Sequence, residues 1–196
     1  MKKQWTILIT TILCVLIAFV GCQRRESTKE EVYGEFQKKI SKIEAYTCTA
    51  EIEAKGNKGT QNYIMIHDYK KPDYYKVEMV SPEHLKGKTM EYTGNKIIIK
   101  NPEANDEVEL PNIGKNSQYL FIGDFIKNYL QNEELDIKLS GDNLILETQI
   151  PGENKYFTKQ ILYINTKTKN PVKMEILDDE GNVRFNVNYK EFEYKS

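Results

Sequence analysis

The sequence predicts an α+β fold: a curled antiparallel sheet of about ten strands, an incomplete β-barrel, wrapped on two helices. Three observations predict it. Apolar and polar residues alternate in short runs over most of the chain, which is the period of half-buried strands. Tight turns rich in glycine and asparagine, such as Gly56-Asn57-Lys58-Gly59 and Thr93-Gly94-Asn95, join consecutive runs into hairpins, so neighbouring strands run antiparallel. Two stretches, near residues 29–44 and 118–132, switch to helical spacing. A sheet of so many strands curls or closes, and its concave face supplies the apolar surface that two amphipathic helices need.

The first 30 residues set the topology. Lys2 and Lys3 precede an apolar run from Trp5 to Val20 that is interrupted only by threonines. The run is short for a membrane span, which takes about 20 apolar residues. It has the basic start and compact apolar middle of a secretory signal. Its end, Ala18-Phe19-Val20-Gly21-Cys22, resembles the lipobox of bacterial lipoproteins, with Phe19 where leucine is commonest. The resemblance implies a signal peptide over 1–21 and cleavage before Cys22. It also implies a diacylglycerol on the Cys22 sulfur, with N-acylation as a further step, and a lipidated tether over 22–27. An uncleaved anchor helix is the alternative. Either arrangement tethers a single domain, residues 28–196, to a membrane outside the cytoplasm.

Cysteine usage agrees with export. Cys14 leaves with the signal and Cys22 carries lipid, so Cys48 stands alone and there is no intramolecular disulfide framework. Stability must come from a packed core, for which the mature chain is long enough. Loss of Lys2 and Lys3 leaves 26 basic residues against 29 acidic, a charge of −3 compared with −1 for the whole chain. No long block of one sign appears, so there is no electrostatic footprint for nucleic acid. Arg24 and Arg25 sit where lipid headgroups would be.

The elements follow in order. Ser27-Thr28-Lys29-Glu30 has the form of a capping box, and Val32, Phe36, Ile40 and Ile43 then recur at helical spacing over Lys29 to Glu44. From Tyr46 to Ala54 the period becomes two, which turns Cys48 toward the core with Tyr46, Ala50 and Ile52. Further strands are expected at Thr60–Tyr69, Tyr74–Val80, Lys88–Tyr92, Lys96–Lys100 and Glu107–Leu110. A second helix, Gln118 to Asn132, places Phe121, Ile122, Phe125, Ile126, Tyr129 and Leu130 on one face, with Asp124 at its regular start. Strands resume at Leu135–Leu139, Leu144–Ile150, Tyr156–Asn165 and Val172–Leu177, and a turn over Asp178–Asn182 leads into the last strand. There Phe192 and Tyr194 fall out of phase with Val183, Phe185, Val187 and Tyr189, and a bulge near Lys190-Glu191 would restore them.

Chemistry-bearing patterns are sparse. His67 and His84 lack the spacing of a zinc hydrolase. His67 alternates with Tyr63, Met65 and Tyr69 and reads as a satisfied structural histidine, while His84, beside Glu83, reads as a loop residue. No G-x-S-x-G elbow or phosphate loop is present. Glu51, Glu53 and Asp178 to Glu180 are expected on solvent faces or in a turn. These features predict neither catalytic residues nor metal or cofactor ligands. The positive signal is tyrosine, 13 residues, with Tyr74 and Tyr75 facing opposite sides of one strand. Exposed tyrosines suit interfaces.

In order along the chain, a helix, a hairpin, "YKKPDYYKVEM", "YTGNKIIIKNPEANDEVEL", a central helix and "LYINTKTKNPVKMEILDDEGNVRFNVNYKEFEY" resemble the LolA/LolB-like lipoprotein-carrier superfamily. Within it, the Cys22 lipobox and "LFIGDFIKNYLQNEE" resemble the clostridial spore-germination lipoproteins of the GerS type. That resemblance implies a non-enzymatic, lipid-anchored protein that binds and activates a zinc-dependent N-acetylmuramoyl-L-alanine amidase of the CwlD type. The amidase removes peptide side chains from muramic acid in the spore cortex, a modification that germination requires. The expected location is a cell or forespore membrane, on its extracytoplasmic side. The alternative function is a carrier that holds a hydrophobic ligand or lipoprotein in the half-barrel cavity. An envelope-stress sensor of the same fold is a third reading. An open sheet also leaves edge strands, along which the amidase or a second copy in a homodimer is expected to dock.

Overall fold

The computed structural model describes residues 27–94, 96–111, 120–131, 136–152 and 154–195. The expected signal peptide, Cys22 and nearly all of the tether lie outside the described residues.

Helix α1, Lys29–Ser41, begins at a capping box whose two arms are both made. Glu31 N–H donates to Thr28 Oγ1 (3.2 Å), and Thr28 N–H donates to Glu31 Oε2 (3.0 Å). Two overlapping S/T-x-x-E frames exist here. The chain takes Thr28 and Glu31 rather than the expected Ser27 and Glu30, so the cap lies one residue later. Lys38 and Lys39 lie in the last turn, where positive charge suits the helix dipole. The helix ends three residues before the expected Glu44, yet Ile43 remains buried beyond it.

Among the described residues eleven strands, one for each run of alternation in the sequence, form one sheet. The strands are β1 (Ala45–Gly56), β2 (Gly59–Lys70), β3 (Tyr74–Ser81), β4 (Thr89–Thr93), β5 (Lys96–Asn101) and β6 (Asp106–Pro111), then β7 (Asp136–Ser140), β8 (Asn143–Gln149), β9 (Lys159–Asn165), β10 (Pro171–Leu177) and β11 (Val183–Lys195). Their order is β6-β5-β4-β3-β2-β1-β11-β10-β9-β8-β7, with every neighbour antiparallel. The first and last strands therefore meet at the centre, and the edges are β6 and β7. Helix α2 (Ile122–Gln131) lies between these two edges in the chain.

The sheet must curl. Strands β4 and β8 are seven places apart, roughly 34 Å on a flat sheet, whereas a ten-residue helix is about 15 Å long. Yet the Phe121 ring, just before α2, lies 6.1 Å from Tyr92 of β4, and α2 itself packs on Leu144 and Leu146 of β8. Only a concave sheet reaches both. Its inner face, with Val32 and Phe36 of α1 and Ile122, Phe125 and Tyr129 of α2, forms the main core.

The expected bulge is present. Thr47 pairs with Glu193 and Thr49 with Lys190, so β11 carries an extra residue, and Glu191 there has φ +51°. Phe192 and Tyr194 return to the inner face as a result, and Phe192 stacks on Tyr46 at 5.0 Å. Strand β9 begins at Lys159, three residues after the expected Tyr156. Asn154 captures the preceding backbone: its Oδ1 accepts the Tyr156 N–H and its carbonyl accepts the Phe157 N–H. That turn delays sheet pairing.

Candidate functional site

The interior beneath α2 is an aromatic seat. Alternation on β1 to β4 turns Tyr46, Tyr69, Tyr75 and Tyr92 inward, and Phe121 plugs between them at 4.7 Å from Tyr75 and 4.9 Å from His67. Tyr46 Oη accepts the N–H of Ile122 (3.2 Å), and the Tyr189 hydroxyl donates to Leu120 O (3.1 Å). Asp124, in the first turn of α2, is buried. Burial pushes its carboxyl up to about 6, with Lys127 pulling down, Asp73 pushing up and a hydrogen bond from Tyr75 pulling down. The expected helix start is therefore a buried carboxyl bonded to a buried tyrosine, which the sequence did not foretell.

The two histidines separate. His84 is exposed in a short turn, Glu83–Leu85. His67 is structural and buried, but not satisfied: neither ring nitrogen has a hydrogen-bond partner among the described residues. It sits among Cys48, Phe121 and other apolar surface, so the expected partner is missing, and burial lowers its pKa to about 4. Cys48 faces it across β1 and β2 and is itself buried, which pushes the thiol well above its usual range. A protonated, sealed thiol is a packing residue.

The carboxylates hold structural positions. Glu51 pairs with Lys190 and Glu53 with Lys55 on the outer face. Asp178 lies in the expected turn, but it is buried, a feature the alternation of polar residues concealed. Burial works against its charge, but the Asn182 N–H and amide and the Arg184 guanidinium, 2.7 Å away, outweigh that and hold the carboxyl below its usual range. Among the described residues no three His, Cys, Asp or Glu side chains gather as a metal site. No helix among them is long and apolar enough to cross a membrane.

Tyr75 is buried and Tyr74 half-buried on the opposite face, as the alternation requires. The more exposed tyrosine is Tyr156, at 44%. Between α1, α2 and the inner sheet lies an opening of only about 50 Å³, lined by Ile40, Tyr69, Ile126 and Tyr194 among others, whereas ligand pockets commonly run to about 300–1,000 Å³. A larger cleft, about 550 Å³, lies at the β1–β2 hairpin end of the sheet. The edges carry exposed apolar residues, Val108 and Leu110 on β6 and Leu139 on β7. Charged neighbours accompany them, with Lys96 on Glu109 and Lys100 on Glu107.

Among the described residues the fold is a curled, open antiparallel sheet closed over two helices. The chain belongs to the YdcC-like sporulation protein family, whose model matches residues 2–196. It is similar to a chain in the structure of the CwlD amidase from Clostridioides difficile in complex with the GerS lipoprotein. Identity there is 62% and the TM-score 0.57, over 88% of this chain and 99% of that one. An uncharacterized conserved protein from Thermus thermophilus shares the fold at 16% identity and a TM-score of 0.51, over 87% of this chain and 89% of that one. A putative outer membrane lipoprotein-sorting protein domain from Vibrio parahaemolyticus matches at 12% identity and a TM-score of 0.47, over 86% and 94% of the two chains. No curated protein sequence matches.

Proposed function

We propose that this chain is a non-enzymatic partner and activator of a zinc-dependent cortex amidase of the CwlD type, acting in sporulation and needed for germination. The observation that carries this reading is the 62% identity to a chain solved with that amidase. An activator works by binding the active or metal-loaded conformation more tightly than the inactive one, so zinc and substrate must in turn tighten the complex. Co-purification of the full chain with the amidase tests it, with amidase activity and zinc affinity measured with and without the chain. The proposal fails if the two proteins do not associate, or if activity and zinc affinity are unchanged.

Residues 1–21 are read as a signal peptide and Cys22 as the lipid-bearing residue that holds the domain, 28–196, to the extracytoplasmic face of a cell or forespore membrane. Cys22→Ala tests this: the variant should leave the membrane fraction and lose a diacylglycerol by mass spectrometry. The amidase, or a second copy of this chain, docks along β6 or β7. The exposed apolar side chains of these edge strands favour that placement. Light scattering checks the self-pairing part, because a single copy of this chain both alone and in the complex would remove it.

A further inference from the structure

We infer that the cleft at the β1–β2 hairpin binds a carboxylate-bearing glycan. Its floor is aromatic: the Phe157 and Phe185 rings lie 5.6 Å apart and rest on Ile150 and Ile176, and Tyr156 stands at the rim. Asn57, Thr60 and Gln61 contribute the polar side. A sugar ring needs this combination, an apolar face to lie on an aromatic surface and hydroxyls around its edge to meet amides and hydroxyls. At about 550 Å³ the cleft holds more than one ring. An acyl chain would be met by the polar hairpin along one whole side.

Charge narrows the class further. Lys55, Lys58 and Arg184 line the cleft, and no carboxylate does among the described residues. Lys55 and Arg184 are held by Glu53 and Asp178, at 3.1 and 2.7 Å. Lys155, 5.3 Å from the Tyr156 ring centroid, adds a further cation at the rim, and the Arg184 guanidinium lies 5.8 Å from the same centroid. The two charge-held cations fix the geometry, and Lys58 and Lys155 supply the positive potential. An anionic polymer is what that potential recruits.

This inference rests on the amidase reading for the source of the glycan. Water breaks the amide bond at muramic acid, the peptide leaves as its amine, and a lactyl carboxylate remains on each muramic residue that is cut. The stripped strand therefore carries anionic sugars among neutral ones, which matches the aromatic and cationic lining. Holding it would keep the polymer beside the amidase between successive cuts.

Isothermal calorimetry of the full chain in detergent tests the idea. The probes are a tetrasaccharide of alternating N-acetylglucosamine and N-acetylmuramic acid, with free lactyl carboxylates, and neutral chitotetraose. Saturable binding of the first, at least tenfold tighter than of the second, is expected. Tyr156→Ala and Lys58→Glu, both at exposed positions, should each weaken it about tenfold without changing thermal stability. Equal affinity for the two probes, no binding, or binding that survives both substitutions overturns the inference. Tighter binding of polyglutamate or of phosphatidylglycerol vesicles overturns it too and reassigns the cleft. A chain that binds the tetrasaccharide but not the amidase keeps this inference and sinks the amidase reading; the converse result does the reverse.

Discussion

The hydroxyl of Tyr46, on the second residue of β1, accepts the backbone N–H of Ile122, the first residue of α2, at 3.2 Å in a buried setting. The first N–H groups of a helix have no partner within it, so a side chain from the sheet does the work of a cap. Tyr46→Phe keeps the ring contacts to Tyr69 and Phe192 and removes only the acceptor. Leaving a buried donor unpaired costs about 1–3 kcal/mol. Urea unfolding should show a lower midpoint with an unchanged slope. An unshifted midpoint would mean that another group satisfies this N–H.

Gly123 is the next contact in the same seat. A Cβ there would lie 3.0 Å from Tyr69 Cε2 and 3.2 Å from Tyr75 Oη. Tyr69 has little room to yield, because its ring lies between Tyr46 at 5.1 Å and Tyr75 at 5.0 Å. Alanine gains about 1 kcal/mol of helix propensity over glycine, whereas overpacking costs about 1–3 kcal/mol. Gly123→Ala should therefore lower stability by roughly 1 kcal/mol. Thermal unfolding decides it, and a raised melting temperature would show that the tyrosine pair gives way.

The strands were legible because their period is unmistakable: Tyr46, Cys48, Ala50 and Ile52 alternate inward, and the slip of Phe192 and Tyr194 is enough to locate a bulge. What sequence could not supply was pairing across long separations. Nothing local joins Tyr46 to Ile122, buries Asp124 beneath Tyr75, or brings Tyr156 beside Arg184. The first two depend on the sheet closing over α2, and the third on the β9–β10–β11 meander. The burial of Asp178 was hidden for a related reason: "DDEGN" is an ordinary polar turn until Arg184 folds back on it. His67 reads from sequence only as a structural histidine sharing a strand face with Tyr63, Met65 and Tyr69, and its lack of a partner among the described residues is visible only once its neighbours are known.

A latch ties α1 to the β9–β10 turn. Lys39 Nζ donates to Thr168 O (2.8 Å) and Asn170 Oδ1 (2.7 Å) and lies 4.4 Å from the centroid of the Tyr194 ring. Glu35 and Lys169 form an ion pair at 2.8 Å beside it, with Glu35 mostly exposed. Charged donors on neutral acceptors are worth about 1.5–3 kcal/mol, while exposed ion pairs give about 0–1 kcal/mol and are screened by salt. Lys39→Met should cost about 2 kcal/mol whether measured in low or high salt. Glu35→Gln should cost clearly less than Lys39→Met, and its effect should vanish in ~1 M salt. A strong salt dependence of the Lys39→Met effect would contradict this division of roles.

Two buried groups around Phe121, His67 and Asp124, titrate in opposite senses. His67 has its pKa lowered by burial to about 4, from an ordinary value near 6.5. Between those values the unfolded chain holds a proton on it that the folded chain does not, so its contribution makes stability rise with pH. Asp124 has its pKa raised, chiefly by burial, to about 6, from an ordinary value near 3.9. Here the folded chain holds the extra proton, and this contribution is lost as pH rises from about 4 through 6. Each shift is worth on the order of 3 kcal/mol over its full span, so the pair nearly offset one another from about pH 4 to 6.5. Removing either group exposes the other. Relative to the parent chain, Asp124→Asn should gain stability as pH rises across that window, and His67→Leu should lose it, each by up to about 3 kcal/mol. Urea midpoints at pH 4, 5, 6 and 7 measure the difference. Parallel profiles for the parent and both variants would show that neither group titrates as its burial requires.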